Sequence, residues 1–183
     1  KQLFADNFSG ENVVVCANLP YYITSPVIMA LLEQQLPIRS ITVMVQKEAA
    51  ERICAELGTR ECGAISAAVR FFSVPKKLFS VSRGSFMPSP NVDSAVIRLD
   101  VHQSPLYQID DEKLFFRLIK SAFAQRRKQL VNPVSAEFGI EKSKLKSLME
   151  IVEIKPTARA EELKMEDFVC LYRLLRDNVN GLN

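Results

Sequence analysis

Residues 13–21 read Val-Val-Val-Cys-Ala-Asn-Leu-Pro-Tyr and decide the fold of the first part of the chain. The unbroken apolar run over residues 13–17 is typical of a strand buried on both faces, which favours a parallel sheet. The run stops at Asn18, and Pro20 turns the segment after it away from the strand. Ligands of parallel α/β sheets bind beyond the carboxyl ends of the strands, so this turn is the first candidate for a site.

The segment after this turn predicts a strand–helix–strand unit. Thr24-Ser25-Pro26 opens a helix in which Ser25 is the N-cap and Pro26 takes the first helical position. Pro37 ends that helix, and residues 40–45 form a second strand. This order and spacing indicate a βαβ unit.

The pattern continues with two more helices and then changes. We expect helices over residues 46–57, ended by Gly58, and over residues 64–72. Residues 78–81 and 94–101 follow as two further strands. An α/β sheet that ends in an extra antiparallel pair fits this order.

From residue 110 onward the sequence predicts helices only. Apolar residues at helical spacing mark three amphipathic helices, around Phe115, Leu148 and Leu171. We therefore expect an α/β portion over residues 1–103 and a small helical domain over residues 110–183, joined by a Pro-containing linker.

Composition excludes several function classes. The chain has 183 residues, 48% hydrophobic and 25% charged, with a net charge of only +3, so any nucleic-acid binding must come from local patches. No apolar run approaches the roughly 20 residues of a membrane span. A single histidine and four cysteines without a Cys-x-x-Cys pair cannot supply the usual zinc site or a His-dependent triad. We expect no metal, no membrane partner and a cytoplasmic protein with reduced cysteines.

The turn after the first strand carries the most specific chemistry. Asn18 offers a carbonyl acceptor, and Leu19 is biased to an extended conformation because it precedes Pro20. Tyr21 supplies a flat face for stacking. Together they can accept both protons of an exocyclic amine while an aromatic ring holds the base. A plain strand-to-helix turn with a capping Asn explains the same residues, and spacing alone leaves both interpretations open.

Basic residues are segregated although the net charge is small. Residues 113–128 contain six cations and no acid, and we expect them to contact nucleic-acid phosphates. They are Lys113, Arg117, Lys120, Arg126, Arg127 and Lys128. A second acid-free stretch, residues 62–92, contains Lys76 and Lys77 as further candidates. A solvated helix face is the alternative for the first three cations.

Five segments, in order, give the chain a family resemblance. Residues 18–26, Asn-Leu-Pro-Tyr-Tyr-Ile-Thr-Ser-Pro, resemble motif IV of the rRNA adenine N6-dimethyltransferases, the KsgA group. Residues 46–48 (Gln-Lys-Glu) are similar to the same family. So are residues 86–96, Phe-x-Pro-x-Pro-x-Val-Asp-Ser-Ala-Val, which resemble its motif VIII. Residues 123–128 and 159–163 resemble its C-terminal domain.

The resemblance implies both a fold and an activity. The fold is the C-terminal part of a Rossmann-like, class I methyltransferase sheet followed by a small all-helical RNA-binding domain. The activity is S-adenosylmethionine-dependent dimethylation of the N6 amines of two adjacent adenosines near the 3′ end of 16S rRNA, in ribosome biogenesis. The implied partner is the immature 30S subunit, bound by a monomer.

The same resemblance assigns roles to residues. Asn18, Leu19, Pro20 and Tyr21 form the catalytic motif, and Asn18 also contacts the cofactor. Tyr21 and Phe86 stack on the flipped target base. A buried core position is the alternative for Phe86.

The sequence departs from the family in its first part. Only 17 residues precede Asn18, and the family's glycine-rich cofactor turn has no counterpart because no Gly-x-Gly occurs. We expect that about 100 N-terminal residues and most of the S-adenosylmethionine pocket are missing, so that this fragment alone is inactive. A lesser departure is Lys164, where a capping Ser or Thr is expected.

Two other readings of the sequence stay open. An Erm-type methyltransferase would act on large-subunit rRNA and give macrolide resistance, but Erm proteins more often carry Ile in place of Leu19. The Arg-Ala-Glu-Glu-Leu of residues 159–163 also favours the KsgA group. The third reading is a non-catalytic module that binds RNA or the ribosome.

Overall fold

The computed structural model describes residues 8, 13–34 and 36–179. They form two compact units. The first contains the described residues up to Ala55 together with Ala68–Leu106, and the second contains Glu56–Ala67 and the residues from Tyr107 onward. Residues 56–67 therefore group with the helical part of the chain, which their position in the sequence did not indicate.

The strands and the helices are each numbered in chain order. The strands are β1 (Val13–Asn18), β2 (Ile38–Gln46), β3 (Ser73–Val81) and β4 (Ser94–Val101). The first helices are α1 (Thr24–Glu33), α2 (Lys47–Cys54) and α3 (Ala64–Phe72). The later helices are α4 (Glu112–Phe123), α5 (Val131–Phe138), α6 (Lys142–Ile151) and α7 (Met165–Val179). Short 3₁₀ turns lie at Tyr21–Ile23, Arg83–Ser85 and Ala160–Glu162.

The four strands form one mixed sheet in the order β1-β2-β4-β3. β1 and β2 are parallel, whereas β4 is antiparallel to both of its neighbours. The prediction of an α/β sheet with an added antiparallel pair is confirmed. The register sets Asn18 beside Met44 on β2, and Met44 beside Val96 on β4. One row across the sheet thus leads from the end of β1 to the start of β4.

The prediction that β1 is buried on both faces is wrong for the described residues. Its side chains alternate between half-buried and exposed, and Val14 is 64% exposed. Among the described strands, β1 pairs with β2 alone. Because side chains alternate along a strand, Asn18 shares the exposed face with Val14 and Cys16.

Helix α1 begins two residues earlier than predicted, and Ser25 does not cap it. The N-cap is Ile23, without a side-chain hydrogen bond. The 3₁₀ turn before it runs directly into the helix, since the Ile23 N–H donates to the Pro20 carbonyl at 3.1 Å. Pro26 is consequently the third residue of α1, still inside the first turn, where a missing N–H costs nothing.

Helix α2 ends earlier than predicted. The predicted helix over residues 46–57 covers only Lys47–Cys54, because Ala55 is extended (φ −58°, ψ 140°). The side chain of Arg70 donates to the carbonyls of Cys54 and Ala55, both at 2.8 Å, and so satisfies the last turn of the helix. The core of this unit is aliphatic and includes Ile41 and Ile97, both fully buried.

The second unit contains one helix that the sequence pattern did not predict. Helix α5 carries Pro133 in its first turn, where proline is tolerated, and ends at Gly139 with φ 64°. Around it, Phe115 packs edge to face on Tyr172 (centroids 5.6 Å apart) in a fully buried contact. The Tyr172 hydroxyl accepts the Asp111 N–H at 2.9 Å, so this aromatic pair also fixes the entry to α4.

The start of α7 explains how a Lys can stand at its cap position. The Oδ2 of Asp167 accepts the backbone N–H of Lys164 at 2.8 Å. This bond is the carboxylate half of a capping box, which stabilises the start of α7 without a Ser or Thr. Within the described part of the chain, no helix is both long and apolar enough to cross a membrane.

Candidate functional site

The turn after β1 is held by a backbone hydrogen bond to β2, and two of its oxygen acceptors are not used by the described residues. The Leu19 N–H donates to the Met44 carbonyl at 3.2 Å, which pins the turn to the end of β2. The Leu19 side chain is buried, whereas Asn18 and Pro20 are exposed. Within the described residues, neither the Asn18 side-chain amide nor the Leu19 carbonyl has a hydrogen-bond partner. The turn therefore offers two oxygen acceptors to a ligand.

The ring of Tyr21 is positioned by a contact with β4. Its hydroxyl lies 2.9 Å from the Oγ of Ser94, which is fully buried at the start of that strand. The ring itself is half-buried. Because the hydroxyl is tethered, the ring is ordered without a bound partner, and ordering it on binding costs little entropy.

The segment between β3 and β4, residues 82–93, is closed on itself around Arg83. The Arg83 N–H donates to Oδ1 of Asp93 at 3.0 Å, and its guanidinium donates to the Asn91 carbonyl at 3.3 Å. The Arg83 carbonyl accepts the hydroxyl of Ser89 at 2.9 Å and the N–H of Phe86 at 3.3 Å. These hydrogen bonds fix the conformation of the loop that carries Phe86.

These two segments meet in one cleft of about 300 Å³. Its lining residues are Asn18, Leu19, Pro20, Tyr21, Met44, Phe86, Pro88 and Pro90. The structure thus brings together the whole predicted tetrapeptide and Phe86, which is 65 or more positions away in the sequence. Every lining side chain is uncharged. The cleft combines amide and carbonyl acceptors with aromatic and proline faces, which suits a flat heterocycle carrying an amine.

Three of the lining residues were not among the predicted site residues. Met44 lies at the carboxyl end of β2, and Pro88 and Pro90 belong to the closed loop. The signal for Met44 is its place at the end of the neighbouring parallel strand, where sheet edges form sites. The prolines could have been found from the sequence, because they occupy every second position after Phe86.

Among the predicted phosphate-contacting residues, Arg126 has a structural role. Its guanidinium donates to the carbonyls of Arg60 and Cys62 and lies 3.9 Å from Glu161. These contacts tie segment 56–67 to the rest of the second unit. Burial raises the pKa of the Cys62 thiol, which keeps this neighbour of Arg126 neutral.

Arg117 is occupied in a similar way. Its guanidinium forms an ion pair with the Glu137 carboxylate at 2.6 Å and donates to the Glu137 carbonyl at 2.8 Å. It also lies over the ring of Phe138, 4.8 Å from the centroid. Arg117 therefore attaches α4 to α5.

The other predicted cations are more available. Lys113, Lys120, Arg127 and Lys128 are exposed, and none has an ion-pair partner within the described residues. Lys76 and Lys77, in the first unit, lie at 3.9 Å from Asp100 and 4.0 Å from Glu51 respectively. Such long, exposed pairs hold a lysine weakly. In the described part of the chain, no group of three or more metal-ligating side chains occurs.

A comparison with known protein families identifies the family of this chain. Residues 3–177 match the family described as "Ribosomal RNA adenine dimethylase". The chain belongs to that family. The predicted family is thereby confirmed.

The relatives within the family are bacterial enzymes named ribosomal RNA small subunit methyltransferase A. The chain is 44% identical to the one from Alkaliphilus oremlandii over 168 residues, which cover 91% of this chain and 58% of that protein. It is 40% identical to the one from Bacillus cytotoxicus over 178 residues, covering 95% and 61%. The chain therefore spans about three fifths of the length of these curated relatives.

Solved structures in the comparison share the fold. A dimethyladenosine transferase from Plasmodium falciparum superposes with a TM-score of 0.76 at 27% identity, covering 92% of this chain and 67% of that one. The 23S rRNA methyltransferase ErmE superposes with a TM-score of 0.66 at 19% identity, covering 91% and 66%. The second likeness shows the fold alone. The predicted class I methyltransferase architecture is confirmed by the first.

Proposed function

We propose that the protein containing this chain dimethylates the N6 amines of two adjacent adenosines near the 3′ end of small-subunit rRNA. The observation that carries the proposal is the cleft in which the unpartnered oxygens of Asn18 and Leu19 accompany Tyr21 and Phe86. Membership of the adenine dimethylase family supports the same reaction. Its substrate on this proposal is the immature small ribosomal subunit, bound in the cytoplasm by a monomer.

The first unit's part is to hold and orient the target base. The exocyclic amine of adenine has two N–H donors, and the Asn18 Oδ1 and the Leu19 carbonyl are two acceptors on adjacent residues. Accepting both protons favours a pyramidal nitrogen, whose lone pair is less delocalised into the ring. Tyr21 and Phe86 supply stacking surfaces, each contributing about 1–3 kcal/mol.

The donor set is compatible with S-adenosylmethionine beside Asn18. No lysine or arginine lines the described cleft, so a positively charged sulfonium meets amide and carbonyl oxygens and no like charge. The cofactor supplies an electrophilic methyl group when it is bound. On this proposal Asn18 contacts it, whereas the chain contains no Gly-x-Gly turn for the remainder of the pocket.

No carboxylate, lysine or histidine lines the described cleft, so its residues act by orientation and not by removing a proton. Holding an amine in line with a methyl donor converts a bimolecular encounter into an intramolecular one. Such orientation accounts for about 7–11 kcal/mol of a barrier in favourable cases. The chain's own role in catalysis is therefore positional.

The second unit's part is to bind the phosphate backbone. The available cations, Lys113, Lys120, Arg127 and Lys128, support this role, because exposed cations without acid partners retain their full charge for phosphates. On this proposal, Arg117 and Arg126 stabilise the fold of the second unit through their contacts with Glu137, Arg60 and Cys62 and do not bind phosphates. Lys76 and Lys77 are secondary candidates in the first unit.

The test is to map the modified bases. Immature small subunits and labelled S-adenosylmethionine are incubated with the protein that contains this chain, and the rRNA is then sequenced around the label. We expect label on two adjacent adenosines near the 3′ end of the small-subunit RNA. Label confined to large-subunit RNA would establish an Erm-type activity instead, and RNA binding without any label would establish a non-catalytic module.

A further inference from the structure

A second cleft of the first unit, of about 420 Å³, is also lined by residues of the closed loop. It is lined by Lys47, Glu48, Glu51, Arg83, Asn91, Val92 and Asp93. In contrast to the uncharged base cleft, five of these seven side chains are ionisable. The residues are close in sequence to those of the base cleft but do not overlap with them.

Two contacts show how near the clefts are to each other. The Lys47 N–H donates to the Asp93 carbonyl at 3.0 Å, and the next residue, Ser94, is hydrogen-bonded to the Tyr21 hydroxyl at 2.9 Å. Met44 lines the base cleft and precedes Lys47 by three residues, so their Cα atoms are at most about 11 Å apart. A single strand of RNA with its base in one cleft therefore has its backbone within reach of the other.

The carboxylates of the second cleft have partners of their own. Glu48 forms an ion pair with Arg52 at 3.1 Å, and Glu51 lies 4.0 Å from Lys77. Asp93 accepts the backbone bond that closes the loop. With Arg52 and Lys77 included, four cations stand beside the three carboxylates at this cleft.

The cations of the cleft are not balanced in the same way. Within the described residues, Lys47 has no ion-pair partner, and the Arg83 guanidinium bonds only to the Asn91 carbonyl. Lys47 is also the first residue of α2, where the helix dipole opposes a positive charge. A lysine at this place is mildly unfavourable, and an anionic ligand beside it would offset that term.

We propose that this cleft binds the backbone phosphate next to the target adenosine, with Lys47 and Arg83 as its cationic contacts. The inference rests on the proposed function, because the phosphate reaches the cleft only when the adenine of the same strand occupies the base cleft. Phosphate contacts fix the register of a strand without reading its sequence. Here they set which adenine amine meets Asn18.

The test is a binding cycle between one lysine and one phosphate. The probe is a single-stranded RNA decamer with a central adenosine followed by 2-aminopurine, which lacks the amine at C6 and serves only as a fluorescent reporter. Binding to the 183-residue chain is followed by anisotropy. The phosphates on either side of the central adenosine are replaced one at a time by neutral methylphosphonate. We expect one replacement to weaken binding by about three- to tenfold, and Lys47→Gln to weaken binding of the unmodified decamer by a similar factor.

The decisive quantity is the coupling between the two changes. If Lys47 contacts that phosphate, Lys47→Gln and the methylphosphonate together weaken binding no more than either alone. Lys47→Arg keeps the positive charge, so the methylphosphonate should again weaken binding as it does with the wild-type chain. The control is Arg39→Gln, the same loss of charge at the other end of β2, and its effect should be independent of the replacement. Independent effects of Lys47→Gln at both phosphates would overturn the proposal.

The 2-aminopurine signal separates this failure from failure of the proposed function. A change in 2-aminopurine fluorescence on binding that Phe86→Ala abolishes shows that the adjacent adenine leaves the stack and enters the base cleft. If that change is present and the Lys47 effects are independent, the phosphate cleft alone is disproved. If it is absent with the wild-type chain, the base cleft and the phosphate cleft are both disproved.

Discussion

The cleft at the end of β1 and the basic segment over residues 113–128 are built in different ways. In the cleft, backbone constraints place the groups: a strand ends, a proline follows, and the Leu19 N–H bonds to the Met44 carbonyl. In the basic segment, long side chains take whatever partner their surroundings supply. Arg126 bonds to two distant carbonyls, whereas its neighbour Arg127 is exposed and without an ion-pair partner in the described residues.

This difference shows where a residue type determines a role and where it does not. An Asn between a strand end and a proline has little backbone freedom. Its position in the sequence therefore largely determines where its side chain lies. An arginine on a helix has five donors on a long stem, and its role depends on acids and carbonyls supplied from elsewhere. The four predictions below probe these two regions, beginning with the largest expected effect.

Asn18→Ala should reduce methyl transfer by about 100-fold or more, because it removes one of two acceptors that orient the amine. The measurement is the initial rate of label incorporation by the protein that contains this chain. Binding of the RNA should change less than threefold. Asn132→Ala, in helix α5, is the matched control and should leave the rate unchanged. A parallel loss of rate and RNA affinity would mean that Asn18 acts through the fold.

Phe86→Ala should weaken binding of an adenosine-containing RNA by about 5- to 100-fold, the loss of one stacking surface. Fluorescence anisotropy of the labelled RNA measures the change. Phe79→Ala removes another aromatic ring of the same unit, 56% exposed on β3 and outside the cleft. If both substitutions weaken binding equally, the ring of Phe86 has no special part in holding the base.

Arg126→Gln should lower the free energy of unfolding by about 1–2 kcal/mol, because the Arg60 and Cys62 carbonyls lose a charged donor. Arg127→Gln should change it by less than about 0.5 kcal/mol, the usual range for an exposed position. Urea denaturation of the two variants measures both values. Equal destabilisation by the two would contradict the division of this segment into supporting and available cations.

Lys128→Gln should have the smallest effect and should appear in the salt dependence of RNA binding. Losing one phosphate contact on a single strand reduces the slope of log K against log salt by about 0.7. Arg117→Gln should leave the slope unchanged, because its guanidinium is bonded to Glu137. A slope that falls equally in both variants would show that Arg117 also reaches the RNA.

Much of the fold could be predicted because its signals are local. The apolar run over residues 13–17, the helix over 64–72 and the strand over 94–101 all lie where period and turn residues put them. The same holds for the tetrapeptide Asn18–Tyr21, which contains Pro20, and for Phe86, which Pro88 and Pro90 follow, because these prolines constrain the backbone. These residues were also the ones that carried the family resemblance.

The remainder could not be predicted because it depends on distant partners. An apolar run does not report how many strands flank it, so the exposure of Val14 in the described residues could not be read from it. Pro133 hid helix α5, since a proline in a first turn resembles a helix breaker. Arg126 took its structural role from carbonyls more than 60 positions away, which no local pattern reports.

The most direct measurement is an NMR titration of the chain with adenosine and, separately, with inosine, which has a carbonyl where adenosine has the amine. If Asn18 and Leu19 accept the amine protons, adenosine shifts the Asn18 side-chain amide together with the ring signals of Tyr21 and Phe86. Inosine should shift the ring signals only weakly and leave the Asn18 amide in place. Equal shifts with both nucleosides, or shifts confined to residues outside this cleft, would contradict recognition of the adenine amine at the end of β1.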